Sequence, residues 1–133
     1  MITPARASDA EWLARLCAAS RSELGQVNGG RVLWQWLHDG DSNEFICVIR
    51  PLAFVHYRIR NDGVRVVYRL AVTPEARRCG LGRRLMRHVG RPVTLKTNAT
   101  NRPANRFYRQ LGMVRVATTR TRSGAHRLHV YYR

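Results

Sequence analysis

Acidic residues are scarce in this chain of 133 residues: eight Asp and Glu stand against 24 Lys and Arg, a net charge of +16. The shortage is uneven. Residues 1–45 carry four arginines against six acids, whereas residues 46–133 carry nineteen arginines and Lys96 against only Asp62 and Glu75. Such asymmetry points to an anionic ligand or partner for the C-terminal two-thirds, although 23 arginines to one lysine also fits a compositional bias spread over a solvated surface. Cysteine is scarce too: Cys17, Cys47 and Cys79 are odd in number and lack disulfide-framework or zinc-ligand spacing, so no metal site is expected. No apolar run approaches the roughly 18 residues that span a bilayer, so no membrane partner is expected. The opening "MITPARASDAEW" lacks a basic segment followed by an apolar one, the pattern of a secretory signal. A reduced, cytoplasmic protein is the expectation.

What is present is the composition of a globular domain, 44% hydrophobic and 24% charged. No repeat or Pro/Gly-rich linker divides it, so residues 1–133 are read as one domain. "ITPAR" reads as a short strand. Ser8 and Glu11 have the spacing of a capping box, and Trp12, Leu13, Leu16 and Cys17 recur at helical intervals, predicting a helix to about Leu24. "RVLWQWLH" reads as a second short helix before the turn-rich "DGDSN". "EFICVIR", "LAFVHYRI" and "VRVVYRLAV" then read as strands, with an Asp-Gly hairpin signal in "RNDGVR". A helix from Leu81 to Val89, a strand "PVTLKT", a helix "NRPANRFYRQLG" with Asn101 as its cap, and two final strands complete the order β-α-α-β-β-β-α-β-α-β-β. This is an α/β fold around a mixed sheet, because a crossover helix joins the fourth and fifth strands.

The stretch "EARRCGLGRRLMRH" carries the chemistry. Two glycines separated by one residue open an amphipathic helix, where backbone N–H groups lack internal partners and the helix dipole adds positive charge. Lack of a Cβ at Gly80 and Gly82 lets a phosphate approach, and Arg77, Arg78, Arg83 and Arg84 add full charges: a pyrophosphate suits the site. A P-loop would need Lys-Ser or Lys-Thr after Gly82, and a dinucleotide fingerprint a third small residue at Leu85; neither is present. The alternative is structural, with Gly80 allowing a tight turn and Gly82 close packing.

"LAVTPEARRCGLG" and, thirty residues on, "NRPANRFYRQLGM" together resemble the two signature motifs of the GCN5-related N-acetyltransferase (GNAT) family, over roughly Tyr68 to Met113. The resemblance implies the GNAT fold and acetyl-CoA as cofactor, lying where the fourth and fifth strands splay apart. It implies that backbone groups of Leu70, Ala71 and Val72 meet the pantetheine arm, with the Val72 amide polarising the thioester carbonyl. It assigns the pyrophosphate to the backbone of Arg77, Arg78, Cys79, Gly80, Leu81, Gly82 and Arg83, and cofactor contacts to Asn101 and Phe107. Tyr108 matches the family tyrosine that protonates the departing thiolate; it also completes an apolar stripe with Ala104, Phe107 and Leu111 and could serve as core.

Relatives often supply a fourth-strand carboxylate as base, and Val64 to Thr73 contains none. His56 is the best titratable substitute, with Glu23, Asp39, Asp41, Glu44 and solvent as alternatives. The resemblance puts the acceptor, a small-molecule or protein amine, between the first two helices and the last strand pair. One wall is aromatic and acidic (Trp34, Trp36, Asp39, Asp41, Glu44), favouring a cationic amine. The other carries Arg115, Arg120, Arg122, Arg127 and Arg133, favouring nucleic acid. The compact length resembles small bacteriophage-encoded members of the family, some of which modify DNA bases. A DNA-modifying enzyme, or a basic binding module without catalysis, therefore stands beside the amine acetyltransferase, and a homodimer is compatible with either.

Overall fold

The computed structural model describes residues 1–19 and 43–133. The expected second helix, with Trp34 and Trp36, and the acids Glu23, Asp39 and Asp41 lie outside the described residues. Seven strands form one sheet in the order β1-β2-β3-β4-β5-β7-β6: β1 (Thr3–Pro4), β2 (Glu44–Ile49), β3 (Ala53–Ile59), β4 (Arg65–Val72), β5 (Val93–Asn98), β6 (Val114–Arg120) and β7 (Arg127–Tyr132). The described helices are α1 (Ala10–Ala19), α2 (Leu81–Val89) and α3 (Arg102–Gln110). This is the mixed-sheet α/β architecture expected from the element order.

Two apolar clusters sandwich the sheet. On one face Leu13, Leu16 and Cys17 of α1 pack on Val48, Phe54 and Ala71. On the other, Leu81, Leu85, Met86 and Val89 of α2 and Tyr108 and Leu111 of α3 pack on Val55, Tyr57, Val67, Leu95 and Tyr131. The alternating burial of β5 (Val93, Leu95 and Thr97 inward) follows from the two-residue period of a strand.

β4 and β5 run parallel, joined by the crossover through α2, but their pairing covers only Arg65↔Val93, Val66↔Thr94 and Val67↔Leu95. Beyond Leu95, β5 stays paired to β7, and beyond Val67, β4 stays paired to β3. Their facing edges therefore part. A bulge starts at the same point: His56 pairs with Arg69 while Tyr57 pairs with Val67, leaving Tyr68 as the extra residue. The inserted residue reverses the alternation, so that Leu70 and Val72 pack towards the α2–α3 cluster as Val67 does.

The entry to α1 differs from the expected Ser8–Glu11 box. A 3-10 turn, Ala7–Asp9, precedes the helix, and Asp9 takes the capping role, its Oδ2 accepting from the Arg6 amide at 2.8 Å. Ser8 is exposed. Buried Asp9 also accepts from Trp12 Nε1 (2.8 Å) and, in a two-pronged pair, from Arg50 Nε (2.8 Å) and Nη2 (2.9 Å), while Arg50 reaches on to Thr3 Oγ1 and the Pro4 carbonyl. One carboxylate thus ties β1, α1 and the β2–β3 turn together. Burial pushes its pKa up, but the hydrogen bonds from Arg50, Trp12 and the Arg6 amide, with the Arg50 charge, outweigh that and hold it below the usual 3.8.

A carboxyl titrating lower folded than unfolded contributes stability above its unfolded pKa and loses it as pH falls through the folded value. Asp9→Asn should cost about 3 kcal/mol at pH 7 by leaving the guanidinium sheltered without a counter-charge. Denaturant titrations of both proteins from pH 7 down to 3 should show the difference shrinking below pH 4. An unchanged midpoint at pH 7 would mean that the clamp does not hold the fold.

Candidate functional site

The glycine loop follows β4 through a short 3-10 turn, Pro74–Ala76. Arg77 Nε donates to the Val72 carbonyl at 3.3 Å, tying the loop to the end of β4. Arg78 adopts φ +65° and Gly80 φ +79°, two left-handed residues within three that turn the chain into α2. For Gly80 the reason for glycine is conformational: a Cβ there would meet nothing within 4 Å, yet a side-chain-bearing residue would be strained. The first helical bond runs from the Arg84 amide to the Gly80 carbonyl, so the amides of Gly80, Leu81, Gly82 and Arg83 precede it. Exposed Arg77, Arg78, Arg83 and Arg84 surround this end, and no acid lies in the first turn of α2.

Gly82 has a different reason. A Cβ on it would lie 3.0 Å from Cζ of Phe107, so its bare backbone is where α3 packs on α2. Of the residues expected to contact a cofactor, Cys79 is exposed and its Sγ lies 3.7 Å from the Arg77 carbonyl; Leu81 is buried and its side chain belongs to the core. Phe107 is half-buried over Gly82, with its ring 5.3 Å from that of Tyr108. Leu70, Val72 and Phe107 all pack against the cluster that holds Leu81, Leu95 and Tyr108, so the strand parting, the loop and the tyrosine share one face of the sheet. Ala71 is on the opposite face, against α1.

Tyr108 is buried, and burial pushes its phenol up to about 12. It keeps its proton over the whole physiological range. Asn101 caps α3 as expected, its Oδ1 accepting from the Ala104 amide at 3.2 Å. The residue that sequence reasoning missed is Asn105, one turn on and 5% exposed. Its Nδ2 donates to the carbonyls of Asn98 (3.0 Å) and Asn101 (2.7 Å), and its Oδ1 accepts from the Tyr131 hydroxyl (2.7 Å) and His129 Nδ1 (3.1 Å). The end of β5, the start of α3 and β7 are thereby locked together, and the Tyr131 ring stands 5.9 Å from that of Tyr108. An asparagine at the buried 101–105–108 spacing was the available signal.

His56 takes a different place from the one its expected role needs. It is 0% exposed, on the α1 face of β3, under the bulged Tyr68 ring at 4.9 Å. Burial, with the charge of Arg69, pushes its pKa down to about 3. Glu44 Oε2 is 3.6 Å from Nε2, and with the imidazole neutral this is a polar contact rather than an ion pair. A base that takes up protons only near pH 3 and presents no surface is poorly suited to deprotonating an amine at neutral pH. Among the described residues there is no cluster of three or more metal-ligating side chains, and no helix long and apolar enough to cross a membrane.

A glycine-opened helix end one loop from a parting between parallel strands marks a class of α/β domain. This chain belongs to the acetyltransferase (GNAT) domain family, whose family model matches residues 41–114. No curated protein matches the chain. Solved structures similar to it include Ard1 from Thermoplasma volcanium (19% identity, TM-score 0.78, covering 100% of this chain and 95% of that one). NAA60 from Arabidopsis thaliana, solved with acetyl-CoA, is similar at 19% identity and TM-score 0.76, with 100% and 97% covered. The ribosomal-protein-S18-alanine N-acetyltransferase from Escherichia coli is similar at 18% identity and TM-score 0.73, with 99% and 91% covered.

The Gly82–Phe107 contact makes a paired test. Gly82→Val should destabilise the fold by about 2 kcal/mol through overpacking and weaken acetyl-CoA binding by calorimetry. Adding Phe107→Ala should restore much of the lost stability. If the double variant is no more stable than Gly82→Val alone, the contact is not what requires glycine at this position.

Proposed function

We propose that this chain moves the acetyl group of acetyl-CoA directly to an amine nitrogen while both substrates are bound. The carrying observation is that β4 loses its β5 partner after Val67 and runs unpaired on that edge through Leu70–Val72, one loop away from a helix end ringed by four arginines. An extended arm laid in the parting can take up strand-like backbone bonds, and the diphosphate can lie on the amides of Gly80–Arg83. The open approach to Gly80 and the absence of acid from that turn fit such a group. Acetyl-CoA supplies an activated acyl carbon and a thiolate leaving group.

Tyr108 is the donor to that thiolate. A phenol at about 12 is a weak acid against a thiol in water, but burial raises thiols as well: Cys17, in this same protein, is pushed up to about 11. In the sheltered parting the two proton affinities approach one another, so the phenol can give its proton as the sulfur takes on charge. The Val72 amide is proposed to face the acyl oxygen. No carboxylate stands on β4, and His56 is neutral and enclosed; in this reading the amine loses its proton to solvent before attack. Amines on proteins and on small molecules both satisfy this chemistry.

Thiol release from acetyl-CoA, measured over a panel of peptides and small amines, tests the reading. Tyr108→Phe should lower kcat about 100-fold and leave KM for acetyl-CoA within twofold. The wild-type log rate should rise by about one per pH unit towards the acceptor amine's own pKa, with no break near 6.5 from His56 and no alkaline fall below pH 10 from Tyr108. Failure of every amine to release thiol would remove the assignment, and an unaltered Tyr108→Phe rate would remove the proton donor.

A further inference from the structure

After Glu75 the chain contains no acid, yet it brings fourteen arginines and Lys96. Among the described residues the arginine–carboxylate pairs are made by Arg15, Arg50 and Arg60, all of which precede Glu75. Most could be scattered surface charge. On the β6–β7 hairpin they are not scattered. Arg120 and Arg127 face each other directly across the two strands, and Arg115 is opposite Tyr131, two residues from His129. Side chains two apart on a strand share a face, so Arg127, His129, Tyr131 and Arg133 point to one side of β7, and Arg115 and Arg120 join them from β6. Buried Tyr131 identifies that side as the one bearing α3.

Several contacts hold the group in place. Arg115 Nη1 lies 3.3 Å from His129 Nε2, and Arg120 Nη1 donates to the Gly124 carbonyl at 3.1 Å. The Arg133 guanidinium lies over the α3–β6 turn, with its Nε 3.4 Å from where a Cβ on Gly112 would be. Arg109, in the last turn of α3, completes the set from the helix side. The hydrogen bonds fix the tautomer of His129. Asn105 spends both Nδ2 protons on carbonyls, so its Oδ1 must accept, Nδ1 of His129 donates to it, and Nε2 accepts from Arg115. The imidazole is neutral here, its pKa lowered first by burial and then by the charges of Arg115, Arg127 and Arg109.

Like charges set directly opposite each other on paired strands, as Arg120 and Arg127 are, weaken a sheet, and no carboxylate among the described residues pairs with them. We propose that this face, formed by Arg109, Arg115, Arg120, Arg127 and Arg133 around His129, is a docking surface for a nucleic-acid phosphate backbone. From Arg115 to Arg120 the row is about 16 Å long, the axial length of about five nucleotides of one duplex strand. The cations are all guanidiniums, which grip phosphate oxygens in pairs. A second copy of this chain, with the same +16 charge, would be repelled. The surface is separate from the glycine loop, on the hairpin side of α3, so it adds to the transferase reading and does not depend on it.

Fluorescence anisotropy with a labelled 20-base-pair duplex, at 50 to 200 mM salt, reads the proposal. Wild type should bind with a log–log salt slope of about −4, as for some four to five phosphates. Arg115, Arg120 and Arg127 changed together to Ser should weaken binding at least tenfold and flatten the slope by two or more. The same charge removed at Arg15, Arg60 and Arg91 should weaken it less than threefold. Thermal melts of both variants must match wild type within a few degrees; if the hairpin variant melts early, Arg120→Gln alone, expected to lose about threefold, serves in its place. Equal losses in the two triple variants would make the binding a general charge effect and overturn the site. So would a poly-glutamate peptide that competes as well as duplex at equal charge.

Discussion

The parting of β4 from β5 is the constraint on which the site depends. Two parallel strands in mid-sheet would ordinarily pair along their length, and here they hold together for three residue pairs. What keeps them apart is visible on both sides. β5 is drawn towards β7, paired as far as Asn98↔Leu128, and Asn105 holds the Asn98 carbonyl from α3. β4 is drawn towards β3, where the bulge at Tyr68 adds twist and re-aims the strand. The glycine loop can deliver a helix end to the opening only because α2 and α3 approach closely enough for Phe107 to sit on Gly82.

Charge is sorted around this opening. Tyr108 and His56 are neutral at ordinary pH for the same physical reason, desolvation: Tyr108 keeps its proton to about 12, and His56 stays unprotonated down to about 3. Exposed guanidiniums crowd the glycine loop and the outer faces of α2 and α3. A buried phenol behind a cationic entrance suits a ligand that is anionic at one end and carries a neutral thioester at the other. In the proposed function the phenol serves the leaving thiolate alone, and no carboxylate stands on β4 to take the amine's proton.

Much of this could be read from residue order. The strands from Glu44 to Val72, the helix from Leu81 to Val89 ended by Gly90, and the Asn101 cap all follow from local pattern, because each is decided by neighbours within a few positions. The glycine loop was legible as a turn into a helix, but the division of labour was not: Gly80 answers to its own φ, and Gly82 to a ring 25 residues away. Asp9 displaced Ser8 as the cap because Arg50, 41 residues on, gives its carboxylate a charged partner that a serine could not use. Asn105 looks like a surface polar residue until Tyr131 and His129 arrive from the last strand. His56 looked like a base because imidazole usually titrates near neutrality; burial beside Arg69, a consequence of sheet pairing, removed that property. Local preference was readable, and long-range contact and desolvation were not.

Hydrogen–deuterium exchange with and without acetyl-CoA addresses the account most directly. Saturating ligand should slow exchange in two separate stretches, the β4 segment Leu70–Val72 and the helix-opening amides Gly80–Arg83, and leave the β6–β7 hairpin unchanged. Protection confined to other segments, or none at a concentration that saturates a calorimetric titration, would contradict a cofactor seated in the gap between these strands.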